Sequence, residues 1–349
     1  MSKIIRVLGV ETSCDETAAA VVENGRHILS NVVSSQIPIH QPYGGVVPEL
    51  ASRAHVESVQ GVIEAALKGQ SPRGTAPFPK SLPVDIVAVT VGPGLVGSLL
   101  VGKVAAEMVA WVYKKPIVGV NHLEGHLLSI LPGHPDLEPP YLALVVSGGH
   151  TELVHVRDYG KYHVVGRTRD DAAGEAFDKV SRVLGLGYPG GPAIDRAAGR
   201  GNSTAVAFPR ALMGEGFDFS FSGLKTSVVY YVRDHPDVLA SKKKIADVCA
   251  SFQAAVVDVL VAKTLAAADS LDLKHIAVCG GVAANTALRQ GFFHRAKKQK
   301  MHMASPLLCT DNGVMIAVAG YYKYCRGPKL KSGPEPLCVD STLAIENWG

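Results

Sequence analysis

Residues 4–33 read IIRVLGVETSCDETAAAVVENGRHILSNVV, and this stretch decides the fold class. Ile4 to Glu11 is a β-branched apolar run that ends in a short polar loop, Thr12 to Glu16. Ala18 to Val22 forms a second run, and Asn24-Gly25 divides it from a third near Ile28 to Val33. Asn-Gly between apolar runs marks a hairpin because both residues tolerate positive φ. Working outward, Pro48 opens a helix to about Lys68, with Leu50, Val56, Val59, Val62, Ile63 and Leu67 on one face. Ser71 to Pro83 reads as a surface loop, and Val84 to Val91 as a buried strand ending in Gly92-Pro93-Gly94 before a helix from about Val96. Ile117 to Val120 is a short strand before a helix carrying His122 and His126.

The order then starts again. Leu142 to Val146 is an apolar strand ending in Ser147-Gly148-Gly149, followed by Thr151 to Val156 and Tyr162 to Gly166. After a helical section, His275 to Cys279 ends in Gly280-Gly281, a helix follows from about Asn285, and Met301 to Ala304 precedes a last helix near Asp311. Each half reads as strand, polar loop, hairpin, helices, strand–Gly–helix, strand–helix, which predicts a duplicated, two-lobed α/β fold. Two unrelated α/β domains are the plainer alternative. The lobes are expected at 1–136 and 137–349, the last helix (about 311–325) being a candidate to pack back on the first lobe.

Composition narrows the function. The 349 residues suffice for two ordinary cores. With 36 glycines and 21 prolines, the chain reads as a soluble enzyme rich in tight turns. Aromatic residues at 6% argue against broad stacking platforms for single strands, and a net charge of +4 permits a nucleic-acid partner without demanding one. None of the six cysteines falls in a CxxC pair, which points to a reducing, cytoplasmic setting. The apolar stretch Ser98 to Tyr113 is broken by Lys103 and Glu107, so no membrane span is expected, and the amino-terminal run shows no signal or transit pattern.

Chemistry concentrates in a few places. His122 and His126 in NHLEGH are four apart, which puts both imidazoles on one helix face and suits a metal. Isolated HxxxH pairs are more often plain helix starts. In the HExxH proteases the Glu follows the first His directly. Here Glu124 lies two positions on and, at ~100° per residue, points away from the pair. That excludes the protease reading. A third ligand is suggested by the duplication: 122 − 92 = 30 residues separate Gly92 from His122, and 311 − 280 = 31 separate Gly280 from Asp311. Asp311 in CTDNG thus opens its helix much as His122 does, and the two are expected to face each other across an interlobe cleft. A His₂-carboxylate set with open positions suits iron(II) or zinc. The spacing equally admits Asp311 as a helix N-cap.

Three glycine turns follow strands, at Gly92-Pro93-Gly94, Ser147-Gly148-Gly149 and Gly280-Gly281. Each alone is an ordinary turn, whereas three at equivalent points suggest a nucleotide approached by backbone N–H groups. The acids of Asp170 to Lys179 and of Tyr188 to Asp195 either bind ribose hydroxyls or cap helices. Phe219 to Thr226 is similarly dense in polar groups.

These stretches in this order (GVETSCDET, YGGVVPELASRAH, GPGLVGSLLVG, NHLEGH, VVSGGHTEL, DDAAGEAFDK, YPGGPAID, FSFSGLKTS, GGVAANTALR, CTDNGVMIA) resemble the TsaD family over nearly the whole chain, in its bacterial and mitochondrial branch. The resemblance implies the fold of the actin, Hsp70 and sugar-kinase superfamily. It further implies transfer of threonylcarbamoyl from threonylcarbamoyl-AMP to N6 of adenosine-37 in ANN-reading tRNAs. Matched motif by motif, His122, His126 and Asp311 become metal ligands, Fe(2+) first and Zn(2+) second. Val145, Val146, Ser147, Gly148, Gly149, Asp178, Gly191, Asp195 and Asn285 become the adenylate site. No catalytic residue is assigned beyond the metal site. Implied partners are a TsaB-type paralogue with a TsaE-type ATPase, or a homodimer, and the lack of a transit-like segment favours the bacterial reading over a processed mitochondrial one. Lys242–Lys244, Arg295–Lys300 and Lys323–Lys331 are candidate tRNA contacts. A small-molecule kinase or ATPase of the same superfamily is the competing enzyme class, though it has no use for two histidines on one helix. A TsaB-like scaffold is a third class, expected to lack the His₂-Asp set.

Overall fold

The computed structural model describes residues 4–68, 83–328, 337–345 and 347–348. Nearly all of the proposed loop at Ser71–Pro83 and the end of the Lys323–Lys331 run lie outside these residues. The chain divides into two compact units: Met1–Glu138 with Asp158–Tyr162 and Thr310–Gly349, and Pro139–Arg157 with His163–Cys309.

In the first unit, strands β1 (Arg6–Glu11), β2 (Glu16–Glu23), β3 (His27–Ser35), β4 (Ile86–Gly92) and β5 (Ile117–Asn121) form a sheet ordered β3-β2-β1-β4-β5. β1 pairs antiparallel with β2 and parallel with β4. The Asn24-Gly25 turn takes φ of 51° and 65°, as the hairpin reading requires. One face of the sheet is covered by helices Pro48–Lys68 and Val96–Val112, with Leu8, Val10, Val62, Ile63, Val87, Val89 and Ala106 in the core. Burying each of these valine, leucine and isoleucine side chains contributes roughly 1.5–3 kcal/mol.

Helix Gly313–Arg326 packs on β1, β2 and β4 of the same unit. Glycines allow backbone to meet backbone there: a Cβ on Gly9 would stand 2.3 Å from Ala317 N, and one on Gly313 would stand 2.4 Å from Ala20 N. This docking, with Val314 to Gly320 all buried, carries Asp311 into the first unit rather than across a cleft from the histidines.

The second sheet, which apart from Asp158 and Lys161–Tyr162 lies in the second unit, comprises β6 (Tyr141–Val146), β7 (Thr151–Asp158), β8 (Lys161–Arg167), β9 (His275–Cys279) and β10 (Lys300–Met303), ordered β8-β7-β6-β9-β10 and repeating the first sheet's topology. The repeat bears out the duplication. Every residue of β6 is buried, as a strand sandwiched on both faces should be. Helices Ala173–Val183, Gly190–Ala198, Ser222–Asp234 and Lys242–Ser270 belong to this unit, with Phe177 edge-on to Phe252 at 5.2 Å.

One sequence expectation needs correction. Val56 is 65% exposed although its spacing placed it on the buried face, and His55 and Glu64 are buried instead. Among the described residues, one helix is long and apolar enough to cross a membrane, Lys242–Ser270, with a mean hydropathy of 1.8 and 72% of that window buried inside the protein. All six cysteines are free.

Candidate functional site

The strand run that begins the chain ends on a buried carboxylate. Glu11 is fully buried; its Oε2 accepts from Thr90 Oγ1 at 2.5 Å and lies 3.1 Å from His122 Nδ1. Ser13 Oγ lies 3.0 Å from the same nitrogen. Asn121 ends β5 and caps the helix His122–Leu128, its Oδ1 accepting from Leu123 N at 2.8 Å and Glu124 N at 3.3 Å. A second asparagine, Asn312, caps Gly313–Arg326 by accepting from Met315 N at 3.0 Å. Asp311 therefore precedes the cap residue, and the N-cap reading of Asp311 gives way to Asn312.

His122, His126 and Asp311 converge, each offering a ligand atom within 4.8 Å of the others. Asp311 Oδ1 is 3.6 Å from His122 Nε2 and 3.1 Å from His126 Nε2. Donors bound at about 2.0–2.1 Å to one tetrahedral ion lie roughly 3.3 Å from one another, so these spacings fit a cation. Two further observations bear on the fit. Both ring nitrogens of His126 are buried without a hydrogen-bond partner among the described residues, which is costly for a polar group unless a ligand completes it. Burial opposes protonation of His122, but the charges of Asp311 and Glu11 outweigh it and hold its pKa at about 9. Two carboxylates, Glu11 and Asp311, thus flank His122, an arrangement that suits a divalent cation. The Glu11 contact to Nδ1 leaves Nε2 as the nitrogen that could face a metal, the arrangement of a carboxylate–histidine–metal relay.

Glu124 is turned elsewhere: it is buried, and its Oε1 accepts from Tyr162 OH at 2.7 Å. Burial, opposed by that hydrogen bond, raises its pKa to about 7. A carboxylate so engaged is no general base for a metal-bound water, in line with the exclusion of the protease.

The other residues singled out in the sequence lie in the second unit. Val145 and Val146 close β6 and are buried, while Gly148 and Gly149 are exposed in the turn after Ser147. A Cβ on Gly174 would stand 2.5 Å from Ser147 O, so the DDAAGEAFDK helix starts hard against that turn. Asp178 Oδ1 accepts from Gly190 N at 2.7 Å and fixes the start of Gly190–Ala198. Gly191 has nothing within 4 Å of where a Cβ would sit, as do Gly148, Gly149 and Gly281. Asp195 Oδ2 accepts from Thr286 N at 3.2 Å, and Asn285 caps the next helix at Leu288 N (2.9 Å) while donating to Gln253 Oε1 at 2.7 Å.

Some stretches serve structure instead. Asp170 accepts from Phe221 N at 2.8 Å and Ser222 N at 3.2 Å, and Asp171 pairs with Lys179 at 3.0 Å and Lys225 at 2.8 Å. The Gly92-Pro93-Gly94 turn is filled by the chain itself, Gly94 N donating to Ser341 O at 3.3 Å. Of the basic runs, Lys243 pairs with Asp247 at 2.6 Å, Lys244 with Asp237, Arg295 with Asp258 and Lys298 with Asp269 at 3.8 Å. Lys323 donates to Gly119 O at 2.9 Å. Sequence reasoning missed Glu11, Asn121 and Tyr162; an ionisable group closing an apolar strand was the available signal for Glu11.

Comparison with known proteins agrees with this picture. The sequence profile of the family described as "TsaD: tRNA N6-adenosine threonylcarbamoyltransferase" matches residues 27–318. The tRNA N6-adenosine threonylcarbamoyltransferase of Clostridium novyi (strain NT) is 50% identical over 331 residues, 94% of this chain and 95% of that protein. That of Clostridium perfringens (strain SM101 / Type A) is 51% identical over 324 residues, 92% and 93% of the two chains. Among solved structures, T. kodakarensis HypF superposes with a TM-score of 0.60 over 91% of this chain and 47% of that one. At 15% identity that likeness speaks for the fold alone, a duplicated actin-like α/β fold. Half identical to members of known name over nearly its whole length, this chain belongs to the TsaD family of tRNA N6-adenosine threonylcarbamoyltransferases, enzymes that transfer an acyl group.

Proposed function

We propose that this enzyme moves the threonylcarbamoyl group of threonylcarbamoyl-AMP to N6 of adenosine-37 in tRNAs reading ANN codons, with one divalent metal held by His122, His126 and Asp311. The observation that carries the reading is the convergence of those three side chains around an otherwise unpartnered His126. The donor is a mixed carbamic–phosphoric anhydride and is already activated. The N6 amine attacks its carbamoyl carbon; a C–N bond forms as the bond to the phosphate oxygen breaks, AMP leaves with the electron pair, and the amine loses a proton. Placement rather than a protein nucleophile is therefore what the chain supplies. When bound, the metal, iron(II) first and zinc(II) second for this donor set, supplies Lewis acidity and a template for the acyl group. Glu11 and Ser13 orient His122 for that role.

The adenylate is assigned to Val145–Gly149, Asp178, Gly191, Asp195 and Asn285. In support, the glycines at 148, 149 and 191 leave open room beside backbone N–H groups, whereas Asp178 and Asn285 fix the helix starts around them. For tRNA, Lys242 and Lys297 are the members of the basic runs favoured as phosphate contacts, because they make no ion pair among the described residues. A partner chain, whether a TsaB-type paralogue working with a TsaE-type ATPase or a second copy, is supported by a stripe on Val96–Val112. There Val96, Leu100, Val104, Met108 and Trp111 are 43–68% exposed at helical spacing. On this reading the protein works in the cytoplasm. The test is transfer in vitro from synthetic threonylcarbamoyl-AMP to an ANN-reading tRNA transcript, with candidate partners added. Metal-dependent N6-threonylcarbamoyladenosine is expected, and product that forms equally well after chelation contradicts the metal's role.

A further inference from the structure

The C-terminal segment lies along the elements that hold the metal ligands. Asp340 N donates to Val91 O at 2.9 Å and Gly94 N to Ser341 O at 3.3 Å, which fastens the segment beside the end of β4. Asn121 Nδ2 then donates to Leu343 O at 3.2 Å and Ala344 O at 2.9 Å. The same side chain caps the histidine helix through Oδ1, so one amide joins the segment to the residue immediately before His122. Further on, Asn347 Oδ1 accepts from Tyr162 N at 2.6 Å and Trp348 N donates to Gly160 O at 2.9 Å. Tyr162 in turn donates its hydroxyl to Glu124 on the histidine helix.

The path is built for this occupant. A Cβ on Gly92 would stand 2.0 Å from Asp340 O, and one on Gly160 would stand 2.2 Å from Trp348 Cδ2. Any other residue at either place would push the segment off. All of these residues belong to the first unit.

We propose that residues 337–345 and 347–348 act as a strap that sets the His122–Leu128 helix for metal binding, with Asn121 and Tyr162 as the positioning residues through which it works. The helix has only seven residues, too few to hold its own shape by hydrogen bonding, so its direction depends on what grips its ends. The strap grips the cap residue at one point and, by way of Tyr162, the first turn at another. Outer partners of metal ligands commonly tune affinity about 10–100-fold. The inference rests on the metal reading given above.

Asn121→Ser is the discriminating variant. Serine caps a helix about as well as asparagine but is too short to reach Leu343 and Ala344 as well. We expect the full-length variant to keep its melting temperature within a few degrees while its affinity for added Zn(2+), read by chelator competition, falls at least about tenfold. Amide hydrogen exchange across residues 122–128 should quicken. In a chain ending at residue 336 the Asn121→Ser change should have no additional effect. Tyr162→Phe, which keeps the ring and the backbone bond to Asn347, should quicken the same exchange if the truncated chain does not fold. Unchanged Zn(2+) affinity together with unchanged exchange in Asn121→Ser would overturn the strap. Should the centre bind no metal at all, the exchange measurement still decides, because the strap acts on the helix with or without an ion.

Discussion

Asp311 Oδ1 stands 3.1 Å from His126 Nε2 and 3.6 Å from His122 Nε2, so a single carboxylate oxygen faces both imidazoles. The helix that follows Asp311 docks through glycine on the first sheet, which fixes the backbone just beyond the carboxylate. Replacing both histidines by alanine should abolish stoichiometric metal and leave a folded protein, because the ligands contribute little apolar burial to the core. Elemental analysis beside a thermal melt checks this. Full metal retention in the double variant contradicts the ligand assignment.

Glu11 is not one of the three converging side chains but lies 3.1 Å from His122 Nδ1. Glu11→Ala should weaken metal binding about 10–100-fold, the range for loss of an outer carboxylate partner. Titration with a competing chelator measures it, and an unchanged affinity would mean that Ser13 alone orients the ring.

Two glycines of the second unit should part company. Gly191 faces open room, so Gly191→Val should keep stability within about 1 kcal/mol and yet obstruct threonylcarbamoyl-AMP. Gly174 is pressed on Ser147 O, so Gly174→Val should destabilise by about 1–3 kcal/mol or more. Calorimetric binding and denaturant melts separate the two effects. Undiminished donor binding in Gly191→Val would move the adenylate away from that helix start.

What the sequence disclosed was what local periodicity and repetition can carry. Helical spacing put His122 and His126 on one face, and the matched intervals from Gly92 and Gly280 singled out Asp311. Pairings set by tertiary packing stayed hidden. Nothing in NHLEGH tells that Asn121 also holds Leu343 and Ala344, nor that Gly92-Pro93-Gly94 accommodates the chain's own end rather than a phosphate. Val56 was misplaced because an apolar residue at helical spacing signals a contact but not whether the chain itself provides it. Asp170 and Asp171 likewise turned inward to a helix start and to two lysines, roles that composition cannot tell apart from ribose binding.

The basic runs give a salt-dependence test. Joint replacement of Lys242 and Lys297 by alanine should lower the slope of log K against log salt for tRNA by up to roughly two, a little under one per phosphate contact. Lys243→Ala and Lys244→Ala should do less, since Asp247 and Asp237 already partner those charges. An unchanged slope in the Lys242/Lys297 variant would assign both to a solvated face.

The most direct measurement replaces the chain in its host and reads the tRNA. After depletion, nucleosides from ANN-reading tRNAs are analysed by mass spectrometry with either the unmutated chain or Asp311→Asn restored. N6-threonylcarbamoyladenosine should disappear on depletion, return with the unmutated chain, and fail to return with Asp311→Asn despite equal protein levels. Full return of the modification with Asp311→Asn, or its persistence after depletion, would contradict the account.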